Sequence, residues 1–129
     1  MDEPVVRPWL ASYAPGVPSD IEVPDGSLVD LLDRSVERFP HRTALDFFGA
    51  QTSYRELGEQ VARAARALRG LGVSAGDRVA IALPNCPQHV VAFYAVLRLG
   101  AIVVEHNPLY TREEIEYQLG DHEPIVAIV

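Results

Sequence analysis

The chain has 129 residues, and its 48% hydrophobic fraction is enough for one folded domain with an apolar core. It carries 11 basic and 18 acidic residues, a net charge of −7, so a surface that binds nucleic-acid phosphates is not expected. All basic residues are arginine, which excludes chemistry that depends on a lysine amine. The single cysteine excludes an intrachain disulfide.

The sequence contains neither a leader-like start nor an apolar segment long enough to cross a bilayer. Residues 1–9, MDEPVVRPW, lack a basic n-region and a long apolar run. The longest apolar run, residues 90–97, has eight residues against the roughly 20 needed for a membrane span. We therefore predict a cytoplasmic protein without a transmembrane segment, and peripheral association of a longer parent with a membrane stays open.

Two different segments make up the first third of the chain. Residues 1–26 hold five prolines, with Trp9, Tyr13 and Ile21 between them, which predicts an extended arm without regular hydrogen-bonded structure, anchored by its aromatics on a larger body. A helix is predicted to follow, with Ser27 as its N-cap and Pro40 as its stop.

A small hairpin and a long amphipathic helix are predicted next. Residues 43–48 favour a strand, residues 49–51 a turn, and residues 52–54 a short return strand. Ser53 and Glu56 have the spacing of a capping box. One apolar stripe then follows at helical spacing, formed by Leu57, Val61, Ala64, Ala65, Leu68 and Leu71. An arginine-rich row on the other side is interpreted as a solvated face.

The second half has the rhythm strand, helix, strand, helix, strand. The predicted strands are residues 79–83, 102–105 and 125–129, and the predicted helices are residues 87–99 and 112–119. The strands are nearly continuous apolar runs, as in parallel strands covered on both faces, and the first helix should be deeply buried. Thr111 is the predicted cap of the second helix and Gly120 the residue just past its end. The fold class is therefore α/β, a βαβαβ parallel-sheet segment preceded by the arm, a helix and a small hairpin.

The last five residues, IVAIV, form an apolar strand with no turn or polar cap after it. Such a strand needs pairing and cover. We therefore expect the chain to be the amino-terminal piece of a longer protein, and to self-associate through surface that the rest normally covers.

Two short motifs suggest nucleophilic chemistry, and each has a simpler interpretation. Residues 72–76, GVSAG, match the G-x-S-x-G of serine hydrolases, but they connect a helix to a strand, which is the reverse polarity. Cys86 and His89 could form a dyad, or could only begin a helix whose first turn holds Pro87. We favour the structural interpretation of both motifs. The four histidines show no metal-ligand spacing, so no metal site is predicted.

Three segments in a fixed order, GDRVAI, LPNCPQ and NPLYT, lie within residues 76–119. Together they strongly resemble the amino-terminal region of AMP-forming acyl-CoA ligases, the adenylate-forming superfamily. With residues 7–24, RPWLASYAPGVPSDIEVP, the chain is most similar to bacterial long-chain fatty-acid CoA ligases. The resemblance implies that residues 27–129 are an incomplete α/β portion of the amino-terminal AMP-binding domain.

The resemblance also implies an activity and its cofactors. In the family, a fatty acid reacts with MgATP to give an acyl adenylate, and CoA then displaces AMP. The family's Ser/Thr/Gly-rich phosphate loop and its lysines have no counterpart here, so this chain alone is expected to hold no ATP, Mg²⁺ or CoA and to be inactive. No catalytic residue is assigned. By resemblance, Asn107, Pro108, Leu109 and Tyr110 lie near the CoA nucleotide, unless they only form a turn before Thr111.

Two other functions remain open alongside the ligase. A stand-alone α/β binding module would use the same scaffold without catalysis, and a serine hydrolase would use Ser74. Continuation of the reading frame into a lysine-containing phosphate loop would favour the ligase, whereas labelling of Ser74 by a fluorophosphonate would favour the hydrolase.

Overall fold

The structure is a computed structural model that describes residues 7–129. Its elements in chain order are a 3₁₀ helix at Pro8–Ser12, α1 (Leu28–Arg38), β1 (Thr43–Phe47), β2 (Ala50–Ser53), α2 (Tyr54–Gly70), β3 (Arg78–Ile81), α3 (Pro87–Arg98), β4 (Ile102–Glu105), α4 (Arg112–His122) and β5 (Val126–Ile128). The predicted α/β class and the βαβαβ order are confirmed.

The second half forms a three-stranded parallel sheet with the strand order β4-β3-β5. Val79 of β3 pairs with Val103 on one side and with Val126 on the other, so β3 is the central strand. Because all three strands run the same way, their carboxyl ends lie at one edge, where the loops after β3 and β4 leave the sheet.

The main core lies between this sheet and the helices α2 and α3. Val79, Ile81, Ala95 and Val96 have no exposed surface, and Ala65 and Leu68 of α2 pack in the same cluster. A second cluster, formed by Leu32, Leu57 and Val61, joins α1, α2 and the hairpin β1–β2. Every residue from Val90 to Leu99 is buried or half-buried, as predicted for the first crossover helix.

The prediction that the strands are covered on both faces is correct only for β3. Val79, Ala80 and Ile81 are buried, but Ile102 of β4 is 48% exposed and Ala127 of β5 is exposed. The reason is position in the sheet, since β4 and β5 are its edges and α4 contributes no buried residue. The apolar composition of all three strands predicted that each is buried, but only the central strand is.

Three of the four α-helices begin with complete capping boxes. The pairs are Ser27 with Asp30, Ser53 with Glu56, and Thr111 with Glu114; in each, the side chains and backbone N–H groups satisfy one another. These bonds lower the pKa of the Asp30 and Glu56 carboxyls, chiefly through the backbone N–H of Ser27 and Ser53 respectively. The predicted helix starts are therefore confirmed.

The predicted hairpin exists, but its turn is tighter and earlier than expected. Phe47 pairs with Ala50, so the turn is Phe48-Gly49 and the return strand already begins at Ala50. Both turn residues have positive φ, +52° and +85°, the geometry of a two-residue hairpin turn. Phenylalanine is not a typical residue for that conformation, which is why the sequence pointed to a longer turn.

The ends of α2 and α4 also differ from prediction. Leu71 follows α2 as its C-cap and is 68% exposed, so the buried stripe ends at Leu68. Gly120 lies inside α4, which continues to His122, and the left-handed residue that ends the helix is Glu123 with φ +44°. Gly72, in contrast, has φ +97° just beyond α2, the left-handed conformation of a glycine that stops a helix.

The amino-terminal arm is partly regular. The 3₁₀ helix at Pro8–Ser12 contradicts the prediction that the arm lacks hydrogen-bonded structure. Trp9 is 52% exposed and Ile21 77% exposed, so these side chains do not anchor the arm on the rest of residues 7–129. Residues 1–6, which include Pro4, lie outside the described residues.

Candidate functional site

The carboxyl edge of the parallel sheet carries the polar side chains that are best placed for binding or catalysis. The loop after β3 leads through Asn85 and Cys86 into α3, and the loop after β4 leads through His106 into residues 107–110. The two loops are linked because the backbone N–H of His106 donates to the Ile81 carbonyl oxygen, at 2.8 Å. The two loops therefore lie along one continuous edge of the sheet.

Cys86 and His89 are brought to one pocket but are not arranged as a nucleophile and its base. Cys86 is the N-cap of α3, Pro87 is its first residue, and both line a pocket of about 400 Å³ against β1. His89 Nε2 instead lies 3.0 Å from Glu105 Oε1, at the end of β4. The structure therefore supports the helix-start interpretation of this stretch.

Ser74 lies in the loop between α2 and β3 and is the serine of the G-x-S-x-G match, which suggested a nucleophile. Its backbone N–H donates to Asp77 Oδ2 at 2.7 Å, and its hydroxyl has Gly72 O as partner at 3.5 Å. The side chain is exposed, and no histidine is hydrogen-bonded to it among residues 7–129. This is a turn stabilised by an aspartate.

Residues 107–110 form a compact exposed turn, which we call the 107–110 turn. The Leu109 N–H donates to Asn107 Oδ1 at 3.0 Å, and the Tyr110 N–H donates to the Asn107 carbonyl oxygen at 3.1 Å. Leu109 is 87% exposed and Tyr110 38% exposed, so both side chains are available to a ligand. The turn leads directly into the Thr111 cap of α4.

A buried polar cluster that the sequence did not predict lies behind this turn. His106 is 6% exposed; its Nδ1 lies 2.6 Å from Gln118 Oε1, and its Nε2 lies 2.8 Å from His122 Nε2. Burial, reinforced by the nearby His106 and by Arg78, lowers the pKa of His122, and Asp121 opposes this shift. Gln118 and His122 have the i, i+4 spacing of one helix face, but the prediction ended α4 at residue 119 and placed His122 in a loop.

The solvated face predicted for α2 agrees with the structure. The arginines of α2 are exposed, and Arg63 lies 3.9 Å from Glu59 in the expected surface pair. Across residues 7–129, no group of three or more His, Cys, Asp and Glu side chains is suited to a metal ion. The same part of the chain has no helix long and apolar enough to cross a membrane.

The fold is similar to solved structures, one of which is a CoA ligase with a bound acyl adenylate. The crystal structure of the anthranilate CoA ligase AuaEII with anthranoyl-AMP matches at TM-score 0.75 and 33% identity, over 78% of this chain and 20% of that one. VinN matches at TM-score 0.78 and 30% identity, over 81% of this chain and 28% of that one. The fold is therefore similar to part of the amino-terminal domain of adenylate-forming enzymes.

The family is shown by the sequence itself. The model of the AMP-binding enzyme family matches residues 32–129, which is most of the chain. The chain belongs to this family, and the resemblance to AMP-forming acyl-CoA ligases is confirmed at that level.

Curated relatives share a more specific name. The long-chain-fatty-acid–CoA ligase of Bacillus subtilis is 43% identical over 122 residues, covering 95% of this chain and 22% of its own length. That of Escherichia coli O6:H1 is 45% identical over 116 residues, covering 88% of this chain and 20% of its own length. The chain thus spans about a fifth of the curated relatives that it matches.

Proposed function

We propose that the chain is the amino-terminal part of a long-chain fatty-acid CoA ligase. The observation that carries the proposal is the 43% identity to the Bacillus subtilis ligase over nearly the whole chain. In the reaction, a fatty-acid carboxylate attacks the α-phosphorus of ATP and releases pyrophosphate. The CoA thiol then attacks the acyl carbon, releasing AMP and leaving acyl-CoA. We propose the cytoplasm as its compartment.

The described residues do not fit a MgATP site. Neutralising a triphosphate calls for clustered cations or a metal with its ligands, and the chain has no lysine. The carboxylates with defined roles are already used: Glu56 and Glu114 cap helices, and Glu105 contacts His89. We propose that the residues that hold MgATP lie in other parts of the full-length protein, and that residues 1–129 alone are inactive.

The contribution of this segment is a scaffold that presents the 107–110 turn at the carboxyl edge of the sheet. Ligands of open α/β sheets bind beyond that edge, and Leu109 and Tyr110 are exposed there. We propose that the turn lies against the nucleotide part of CoA. Tyr110 can stack on an adenine ring, and hydrogen bonds from the Leu109 and Tyr110 N–H groups to Asn107 hold the shape of the turn.

The fatty-acid-dependent exchange of pyrophosphate into ATP tests the ligase proposal. The full-length protein should catalyse the exchange, and purified residues 1–129 should not. Exchange by residues 1–129 at the full-length rate would show that the adenylation machinery lies within this segment, contrary to the proposal.

The role of the turn is tested separately by replacing Tyr110. Tyr110→Ala should raise the KM for CoA by about tenfold, a typical loss for one aromatic contact, without changing pyrophosphate exchange. Tyr117→Ala is the matched control, because Tyr117 is 78% exposed on α4, beyond the turn. Equal KM values for both variants would leave the turn without a role in CoA binding.

A stand-alone α/β binding module is the second candidate. It is favoured by the buried core that α2, α3 and β3 form within the described residues. Calorimetry with CoA and the 129-residue chain separates the two candidates, since a module should bind tightly and a ligase segment should not. We also propose that the isolated chain self-associates through exposed apolar side chains such as Ile102 and Val129, which light scattering would detect.

A further inference from the structure

The segment from the end of β4 to the end of α4 is closed on itself by side-chain hydrogen bonds. His106, at the start of the 107–110 turn, contacts both Gln118 and His122 on one face of α4. The other end of the turn is held by Thr111, whose N–H donates to Glu114 Oε2 at 2.8 Å. The turn is therefore fixed at both ends onto the helix that it precedes.

The contact between His106 and His122 needs one hydrogen between their Nε2 atoms. Gln118 Oε1 can only accept, so His106 Nδ1 carries a hydrogen and the Nε2 of a neutral His106 is an acceptor. His122 Nε2 must then donate across the 2.8 Å contact, which leaves His122 Nδ1 without a hydrogen. That Nδ1 is buried and has no hydrogen-bond partner. The neutral pair is thus satisfied only when exactly one hydrogen lies between the rings.

Added protons act against this arrangement in two stages. The first can enter only at His122 Nδ1, where it becomes a buried donor without an acceptor. The second places a hydrogen on both Nε2 atoms, so that two like-charged donors face each other at hydrogen-bond distance. No hydrogen bond can then join the rings.

The surrounding charges favour the neutral pair. Arg78 of β3 donates to the His122 carbonyl oxygen at 3.3 Å, which places a permanent positive charge beside the ring. Asp121 of α4 is the negative charge nearby and is exposed, and Gln118 is neutral. The balance of desolvation, His106 and Arg78 against Asp121 lowers the pKa of His122.

We propose that His106 and His122 form a pH-sensitive latch that holds the 107–110 turn on α4 when the pair is neutral and releases it when both rings are protonated. Both histidines would act through the position of the turn, so they are positioning residues. The effect that the latch should have on CoA binding rests on the proposed function, whereas the latch itself does not.

Amide hydrogen exchange in the full-length protein tests the latch. The probes are the N–H groups of Leu109, Tyr110 and Thr111, each of which has a defined acceptor in the turn or cap. At pH 7.5, His122→Leu should speed their exchange by about three- to tenfold, the loss of one hydrogen bond. Amides of α2, from Val61 to Leu68, should be unaffected and report that the variant is folded.

Two further variants separate titration from packing. The unmodified protein should lose protection of these amides as the pH falls below 6.5, the ordinary pKa of histidine, because the pKa of His122 is lowered from it; the rates are first corrected for the intrinsic pH dependence of exchange. His122→Gln keeps a donor at the position of Nε2 but cannot titrate, so its protection should persist through that range. His41→Gln, at an exposed histidine, should behave like the unmodified protein.

The outcomes decide the latch and the ligase independently. Equal exchange at pH 7.5 in the unmodified protein and His122→Leu would overturn the latch, as would acid loss of protection in His122→Gln. In the ligase, His122→Leu should raise the KM for CoA about three- to tenfold and leave pyrophosphate exchange unchanged. If the unmodified protein shows no ligase activity, the proposed function fails, and the exchange data still decide whether the latch exists.

Discussion

Helices α2 and α4 begin alike and end in different environments. Each starts with a complete capping box, Ser53 with Glu56 and Thr111 with Glu114. Yet α2 buries four side chains, while α4 buries none. The difference lies in the apolar spacing: α2 carries a long stripe, whereas α4 has only the half-buried Ile115 and Leu119 on its sheet side. A cap determines where a helix starts, and the stripe determines how firmly it is held.

The largest expected effect is a loss of stability when a buried side chain of α2 is shortened, compared with the same change in α4. Leu57→Ala removes a side chain that is 3% exposed in the cluster with Leu32 and Val61, and should cost about 2–5 kcal/mol of unfolding free energy. Leu119→Ala in α4 should cost about 1 kcal/mol, because the side chain is only half-buried. Urea denaturation followed by circular dichroism measures both, and similar losses would refute the distinction between the two helices.

Two glycines near the ends of these helices should respond with opposite signs. Gly72→Ala places a side chain at φ +97° and should destabilise by about 1–2 kcal/mol. Gly120→Ala lies inside α4, with open space around the new Cβ, and should stabilise by up to about 1 kcal/mol. Thermal unfolding of both variants checks the signs. Destabilisation by Gly120→Ala would restore glycine as the end of α4.

Removing the N-caps of α2 and α4 should weaken the two helices by similar free energies, but the losses should appear in different measurements. Ser53→Ala and Thr111→Ala each remove a bond to a helix N–H, about 1 kcal/mol. In α2 the loss should lower the global unfolding free energy, because the helix is part of the core. In α4 it should mainly speed amide exchange at Glu114, with little global change. A full global loss in Thr111→Ala would indicate that α4 is coupled to the core.

The smallest effect is the pH dependence of the α2 cap. The folded-state pKa of Glu56 lies below its ordinary value of 4.5, because the Ser53 N–H and hydroxyl favour the carboxylate. The stabilisation is therefore present above that value and is lost as the pH falls through the lowered pKa. Glu56→Gln should be less stable than the unmodified chain at pH 7, with the difference shrinking in acid. Glu59→Gln, away from the cap, serves as the control, and a difference that persists in acid would contradict the assignment.

Local signals in the sequence predicted the positions of helices and strands better than they predicted which side chains are buried. The caps at Ser27, Ser53 and Thr111 each involve groups three residues apart, so their chemistry can be recognised from the chain alone. The hairpin turn was misplaced because Phe48 adopts a positive φ, which the pairing of β1 with β2 imposes against the residue's own preference.

For the candidate site, the resemblance indicated residues 107–110, and the sequence analysis missed the side chains that support them. Residues 107–110 were named through family resemblance, and their role near CoA stays a proposal. His106 and His122 are 16 residues apart, and they meet only because α4 extends past Gly120, which brings its last residue to the residue that follows β4. No short-range pattern predicts such a contact.

The sequence by itself determined the helix starts, the order βαβαβ and the family, since these depend on caps, apolar periodicity and an ordered set of local segments. Tertiary structure decided which strand is covered on both faces, that His89 contacts Glu105 rather than serving Cys86, and that two histidines meet at hydrogen-bond distance behind the 107–110 turn. The physical reason is range: capping and periodicity act within a few residues, whereas burial and side-chain pairing depend on which distant segments the sheet brings together.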